Sequence, residues 1–306
     1  MRKAETAELG FTLSELSHVI RAYRGMGEVD IIHDHTMAGP LYPHRPPGVP
    51  VVTTIHCQLT PSAVDIYRDI GRTASIVAIS HDQVSRSPDV PVARVIHHGM
   101  DLAGVPVGTG QGGYACFVGR MSPDKGPAQA IAVARKAGIP LRLAAKIREP
   151  EELRYFREVV EPLLGPTVEF IGELGNTEKY ALMGEACAFL NPIQWSEPFG
   201  LVMIEALATG TPVIGTPIGA APEVVDHGST GYLASVDELP ALLLRAGELS
   251  RAACRASVEQ RFSSERMVAD HLDLYSQLLE QKLPSGVSDP GMVRENQIQD
   301  SLAPGS

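Results

Sequence analysis

The sequence predicts an α/β fold of two mostly parallel-sheet domains that face each other across a cleft. Three observations carry this. Short β-branched runs alternate with helix-length segments, the pattern of right-handed βαβ units. That alternation is interrupted once, at residues 104–113 (GVPVGTGQGG), which hold almost no large side chain and read as a flexible interdomain linker. A chain of 306 residues also suits two domains, each large enough to bury its own core.

The elements follow in order. Strands are expected at 29–33, 51–55, 75–79 and 94–96 before the linker, and at 115–118, 141–144, 168–171, 186–190 and 212–214 after it. Helices are expected at 128–137 and 151–164, and helical segments dominate 238–282. The domain boundaries that follow are 1–106 and 107–262. Residues 263–283 form a helix crossing back to the first domain, and the polar, Gly/Pro/Ser-rich 284–306 form a disordered tail. The linker contains a formal G-x-G-x-x-G at Gly108, Gly110 and Gly113. It precedes a strand instead of joining a strand to a helix, so it does not predict a dinucleotide site.

Composition narrows the function. With 26 basic and 36 acidic residues the net charge is −10, which argues against nucleic acid or an anionic membrane as the main partner. A phosphate-bearing ligand needs only local positive charge and stays open, as does peripheral membrane contact. Cys57, Cys116, Cys187 and Cys254 are far apart, with no C-x-x-C pair to signal zinc or a disulfide framework. No apolar run approaches the roughly 18 residues of a membrane span, and the N-terminus has no apolar signal region. The expectation is a soluble cytoplasmic protein.

Ligands of open α/β sheets bind at the carboxyl ends of strands, so the chemistry is sought there. The strand at 115–118 runs into Gly119-Arg120, a short loop, Lys125-Gly126, and a helix opened by Pro127. Two cations beside a helix N-terminus suit a phosphate; two solvated surface charges are the plain alternative. The strand ending at Leu190 leads to a loop carrying Glu197, then to a helical stretch carrying Glu205. On one continuous helix, eight residues would separate the carboxylates by about 12 Å of rise and about 80° of rotation. That is too far for joint work on one bond and suits two ends of an extended ligand. The alternative is that Glu197 caps the helix and Glu205 is a surface charge. A third strand end, 216–223, passes through small residues that allow close backbone approach or simply a tight turn.

Together these stretches resemble the retaining glycosyltransferases of family 4, which have the GT-B fold: two Rossmann-like domains facing a cleft. Glu197 and Glu205 match the family's E-x7-E element, with Pro198-Phe199-Gly200 intact after the first glutamate. Gly119-Arg120 and Lys125-Gly126 match its G-R-x4-K-G element, and 210–214, 219–225 and 228–232 match later motifs in the family's order. The resemblance implies that Arg120 and Lys125 hold the diphosphate of a nucleotide sugar. It implies that amides around Phe199, Gly200 and Leu201 meet phosphate and sugar, that Glu197 contacts the sugar, and that Glu205 accepts the ribose hydroxyls. The stretch from Ile171-Gly172-Glu173 to about Lys179 would face the nucleobase.

The first domain matches more weakly, through D-I-I-H-D-H at 30–35, T-T-I-H at 53–56, Ile79-Ser80 and 98–101. His33 and His35 share a strand face and could be half a metal site, but no third ligand is signalled, so no metal is expected. Ser80-His81-Asp82 is no hydrolase triad, because adjacent side chains point apart. His56 is placed near the transferred sugar. Family members begin with a strand and a glycine-rich loop; this chain reaches Asp30 after one helix-like segment, so the N-terminal domain is expected to be incomplete.

The expected activity is retaining transfer from a nucleotide diphosphate sugar, with UDP first and GDP next, to an unidentified saccharide, lipid or small-molecule acceptor. No D-x-D occurs, so Arg120, Lys125 and a helix N-terminus would stabilise the leaving diphosphate without metal or other cofactor. His56, Arg120, Lys125 and Glu197 form the expected catalytic set, and neither Glu197 nor Glu205 is expected to act as a nucleophile. The alternatives are a non-catalytic or truncated nucleotide-binding protein of this fold, and a nucleotide-sugar epimerase.

Overall fold

The computed structural model describes residues 2–282; the tail expected at 284–306 lies outside them. Helix α1 (Arg2–Arg24) leads into a four-stranded parallel sheet of β1 (Ile32–Asp34), β2 (Val51–Ile55), β3 (Ser75–Ala78) and β4 (Val92–Val95), in that spatial order. Helices α2 (Pro61–Ile70) and α3 (His81–Ser85) connect them, each opened by a hydroxyl side chain: Thr60 accepts from Ala63 N, and Ser80 from Gln83 N. All five residues of β2 (VVTTI) are buried, as befits a strand covered on both faces. The first strand is shorter than its apolar run suggests. Val29 is exposed, and pairing begins only at Ile32, opposite Val51.

The second sheet holds β5 (Ala115–Arg120), β6 (Leu141–Lys146), β7 (Val168–Gly172), β8 (Phe189–Asn191), β9 (Val213–Gly215) and β10 (Gly231–Leu233), all paired in parallel. Its order is β10-β9-β8-β5-β6-β7. The chain therefore builds outward from β5 to β7, returns to the other side of β5, and builds outward again. The reversal lies between β5 and β8, and a crevice opens at the carboxyl ends of these two strands. Helices α4 (Pro127–Ala137), α5 (Pro150–Tyr155), α6 (Asn176–Glu185), α7 (Leu201–Ala208), α8 (Ala221–Val224), α9 (Leu239–Leu244) and α10 (Arg251–Arg261) cover the sheet. Two cores result, one containing Phe199, Met203 and Phe262, the other Phe117, Ile131 and Leu141. The single helix expected over 151–164 is instead α5, a π turn (Phe156–Val160) and a 3₁₀ turn (Glu161–Leu163). Pro162 offers no N–H to continue an α-helix there.

Two features fix how the domains meet. Residues 105–112, read as part of a flexible linker, are docked on the second domain. Gly108 N donates to Thr209 O (3.0 Å), Gly110 N to Gly184 O (3.0 Å) and Gly112 N to Glu185 O (2.8 Å), while Arg251 Nε donates to Gly108 O (2.9 Å). The glycines serve close backbone approach: a Cβ on Gly108 would lie 2.1 Å from Gly184 O. Helix α11 (Ser264–Lys282) then lies along the first sheet, where Leu274 packs with Val52, Val77 and Ile96, and Asp273 pairs with Arg94 at 2.6 Å. Among the described residues no helix is long and apolar enough to cross a membrane.

Candidate ligand-binding site at the domain cleft

A cavity of about 470 Å³ opens at the crevice between β5 and β8 and is closed from the other side by His56, Ile79 and His98 of the first domain. Its size suits a small-molecule ligand. Small residues at the ends of β5 and β6 (Gly119, Ala144 and Ala145) leave the space that larger side chains would fill.

Arg120 ends β5, and Lys125 ends a 3₁₀ turn (Pro123–Lys125) on the way to α4. Gly126 allows the turn: its φ is +77°, and a Cβ there would lie 2.2 Å from Pro192 O. Arg120 makes looser contacts, with Asp124 at 3.3 Å and buried Glu152 at 3.9 Å. Lys125 is ion-paired with Glu197, and its ammonium sits 4.8 Å from the centre of the Trp195 ring. Trp195 Nε1 also donates to Glu197 Oε2, at 3.1 Å.

Neither glutamate takes its plain alternative role. The cap of α7 is Gly200, at φ +86°, with no side-chain cap bond, so Glu197 is not a helix cap. Its backbone is gripped by the next loop: Ala220 N donates to Glu197 O (3.0 Å), and a Cβ on Gly219 would lie 2.4 Å from that oxygen. Glu205 is only 21% exposed at its side chain and pairs with Lys179 at 2.6 Å. Both glutamates line the cavity, as do Phe199, Gly200 and Leu201. Gly172 does not; Glu173 and Leu174, which follow it, do.

The histidines of the first domain form a connected cluster. His35 Nδ1 and His56 Nε2 share a hydrogen bond at 2.9 Å, His33 stacks on His35 at 4.2 Å between centroids, and His56 lies parallel to His98 at 5.4 Å. His33 Nε2 reaches Thr54 Oγ1 at 2.8 Å. Burial, then the neighbouring imidazoles, push His33 down to about 3 and His98 down to about 4, while His56 is lowered by burial and by His35. These rings are neutral at pH 7 and offer hydrogen bonds without charge. Among the described residues the one group with three metal-type donors close together is elsewhere: His81, His97 and Glu223, within 4.8 Å of one another. Its carboxylate is engaged as a clasp between domains. It accepts from His81 N (2.8 Å) and Asp82 N (2.7 Å), at the start of α3, and pairs with His97 Nε2 (2.8 Å). Asp82 in turn accepts from Ser196 Oγ at 2.8 Å, beside Glu197, and Ser80 caps α3.

Sequence reasoning passed over Lys146, Trp195, His98 and Glu223 as individual residues. Lys146 stands two positions beyond the strand expected at 141–144, and Glu223 lies within a recognised motif. Glu223 meets His81 and His97, His98 meets His56, Trp195 meets Lys125, and Lys146 comes beside Arg120 only through the sheet register; these are juxtapositions of residues far apart in the chain, which leave no local signal.

Residues 109–246 match the model of the family described as Glycosyl transferases group 1. Among curated proteins, the chain is 36% identical over 121 residues to N-acetyl-alpha-D-glucosaminyl L-malate synthase of Bacillus anthracis, covering 37% of this chain and 31% of that one. Across the first four curated relatives it spans between 31% and 69% of their length. Among solved structures it is similar to AviGT4, a glycosyltransferase involved in avilamycin A biosynthesis (TM-score 0.68, 28% identity, 87% of this chain and 79% of that one). HepE of Anabaena, solved in complex with UDP-glucose, shares the fold (TM-score 0.71, 20% identity, 85% and 82% coverage). The fold is GT-B, and these likenesses support a glycosyltransferase.

Proposed function

We propose that the chain is a retaining glycosyltransferase of the family 4 type, moving a sugar from a nucleoside diphosphate sugar to an acceptor hydroxyl without a metal ion. The observation that carries this reading is the meeting in one cavity of Arg120 and Lys125 with Glu197 and Glu205, which lie on the segments that end or follow β5 and β8 at the topological reversal. In this reading the diphosphate lies against Arg120 and Lys125, the ribose hydroxyls against Glu205, and the sugar between Glu197 and His56. UDP is the first nucleotide to test, since a neighbour of the same fold was solved with it, and GDP the next.

The chemistry asked of the protein is modest. The bond from the anomeric carbon to the diphosphate oxygen breaks as the acceptor oxygen bonds to the same face of that carbon, and the acceptor proton passes to the leaving phosphate oxygen. Arg120 and Lys125 stabilise the charge that grows on that oxygen. His56, neutral at pH 7, is a hydrogen-bonding partner for sugar hydroxyls. Transfer assays with radiolabelled UDP- and GDP-sugars against a saccharide and lipid panel test the proposal. Arg120→Ala is expected to reduce turnover by roughly a hundredfold or more, as loss of one charged transition-state contact does. Conversion of donor to an isomer with no acceptor present would point to an epimerase instead.

A further inference from the structure

The charges that line the cavity do not balance, and the imbalance is localised. Three lining carboxylates each have a cation: Glu197 has Lys125, Glu205 has Lys179 at 2.6 Å, and Glu173 has Arg148 at 2.7 Å. Arg120 shares Asp124 and Glu152. That leaves Lys146, the last residue of β6, which lines the cavity and has no hydrogen-bond or ion-pair partner for its side chain among the described residues.

Its placement is set by the sheet. In the parallel register of β5 and β6, Arg120 is the direct partner of Lys146, so the two side chains leave the sheet on the same face. Met121 N donates to Lys146 O at 3.1 Å and fixes the backbone just beyond that register. A part-buried ammonium facing a cavity without a counter-charge carries a desolvation cost that only an arriving anion offsets. The neighbouring side chains, Ala144 and Ala145, are too short to occupy the space in front of it.

We propose that Lys146 is a third cation of the phosphate subsite, binding the diphosphate of the donor beside Arg120. This rests on the nucleotide-sugar reading above. It assigns Lys146 a binding role and does not place it at the reacting carbon. It also gives the three cations distinct characters: Arg120 and Lys125 are held by carboxylates in the free protein, whereas Lys146 is free to meet the incoming phosphate first.

The test is titration calorimetry on the full chain as wild type, Lys146→Gln and Lys146→Arg. Whichever of UDP, GDP or ADP binds the wild type is compared with its own nucleoside, followed by competition. Lys146→Gln is expected to weaken the diphosphate about tenfold or more, leave the nucleoside within twofold, and be largely rescued in Lys146→Arg. A diphosphate affinity within twofold of wild type in Lys146→Gln overturns the proposal, as does equal weakening of diphosphate and nucleoside. If the wild type binds none of the three diphosphates, the nucleotide reading itself fails and takes this assignment with it. Should Lys146→Gln not fold, Lys146→Met, which keeps the length and apolar stem of the side chain without its charge, is read by the same criteria.

Discussion

Lys125 cannot serve two anions equally, and this makes Glu197 a competitor as well as a contact. In the free protein the lysine is committed to Glu197, with the Trp195 indole completing the group. A bound diphosphate would take over Lys125 and release the carboxylate toward the sugar. Glu197→Gln is therefore expected to bind UDP at least as tightly as wild type while transferring sugar at roughly a hundredth of the rate or less, since only the contact realised during transfer is lost. Calorimetry beside a turnover assay checks this, and a large loss of UDP affinity would mean that Glu197 binds nucleotide directly. Gly219 belongs to the same residue-scale design. At φ +64°, with Glu197 O 2.4 Å and Glu197 N 2.5 Å from its Cβ position, Gly219→Ala must displace the Glu197 loop. Activity is expected to fall together with a loss of about 1–3 kcal/mol in stability, read by urea denaturation.

At the scale of elements, the docked segment 105–112 shows where sequence reading stops. Glycine serves a free hinge and a close backbone contact equally well, so composition places the junction between domains without saying that its backbone is hydrogen-bonded to Thr209, Gly184 and Glu185. Gly108→Ala separates the two roles. A mere hinge would tolerate it, whereas a Cβ 2.1 Å from Gly184 O should lower the melting temperature by several degrees in a scanning calorimeter. The strands were legible because β-branched runs such as Val51–Ile55 and Ser75–Ala78 report burial locally. The helix that carries Glu205 was legible for a different reason, the helix-forming composition of residues 201–207, and it runs over Leu201–Ala208. The carboxylates and cations of the site were legible as motifs, but their pairing was not. Lys179 meets Glu205 between α6 and α7, and Lys125, after β5, meets Glu197, after β8, contacts that exist only once the sheet is formed.

At the scale of the whole molecule, the cleft is held by groups that respond to acid. Burial, together with the neighbouring imidazoles, lowers His33 to about 3 and His98 to about 4, so the unfolded chain binds protons here more readily than the folded one. Their contribution to stability is complete above about pH 6.5 and is lost as pH falls toward those values. Glu223 is also lowered: burial opposes this, but the bonds from His97 and from the His81 and Asp82 amides outweigh it. Its share of the interdomain clasp persists above the ordinary glutamate range and is lost below it. The melting temperature is expected to drop between pH 7 and pH 5; a flat profile over that range would remove the histidine cluster from the stability account. Calorimetric titration of UDP, GDP and ADP into wild type, Arg120→Ala and Glu205→Ala decides whether the cavity at the β5–β8 reversal holds a nucleoside diphosphate. A nucleotide site there binds at least one of these nucleotides with single-site stoichiometry, weakened roughly tenfold or more by each substitution. Nucleotide affinity left unchanged by both substitutions, or no binding to the wild type at all, would contradict it.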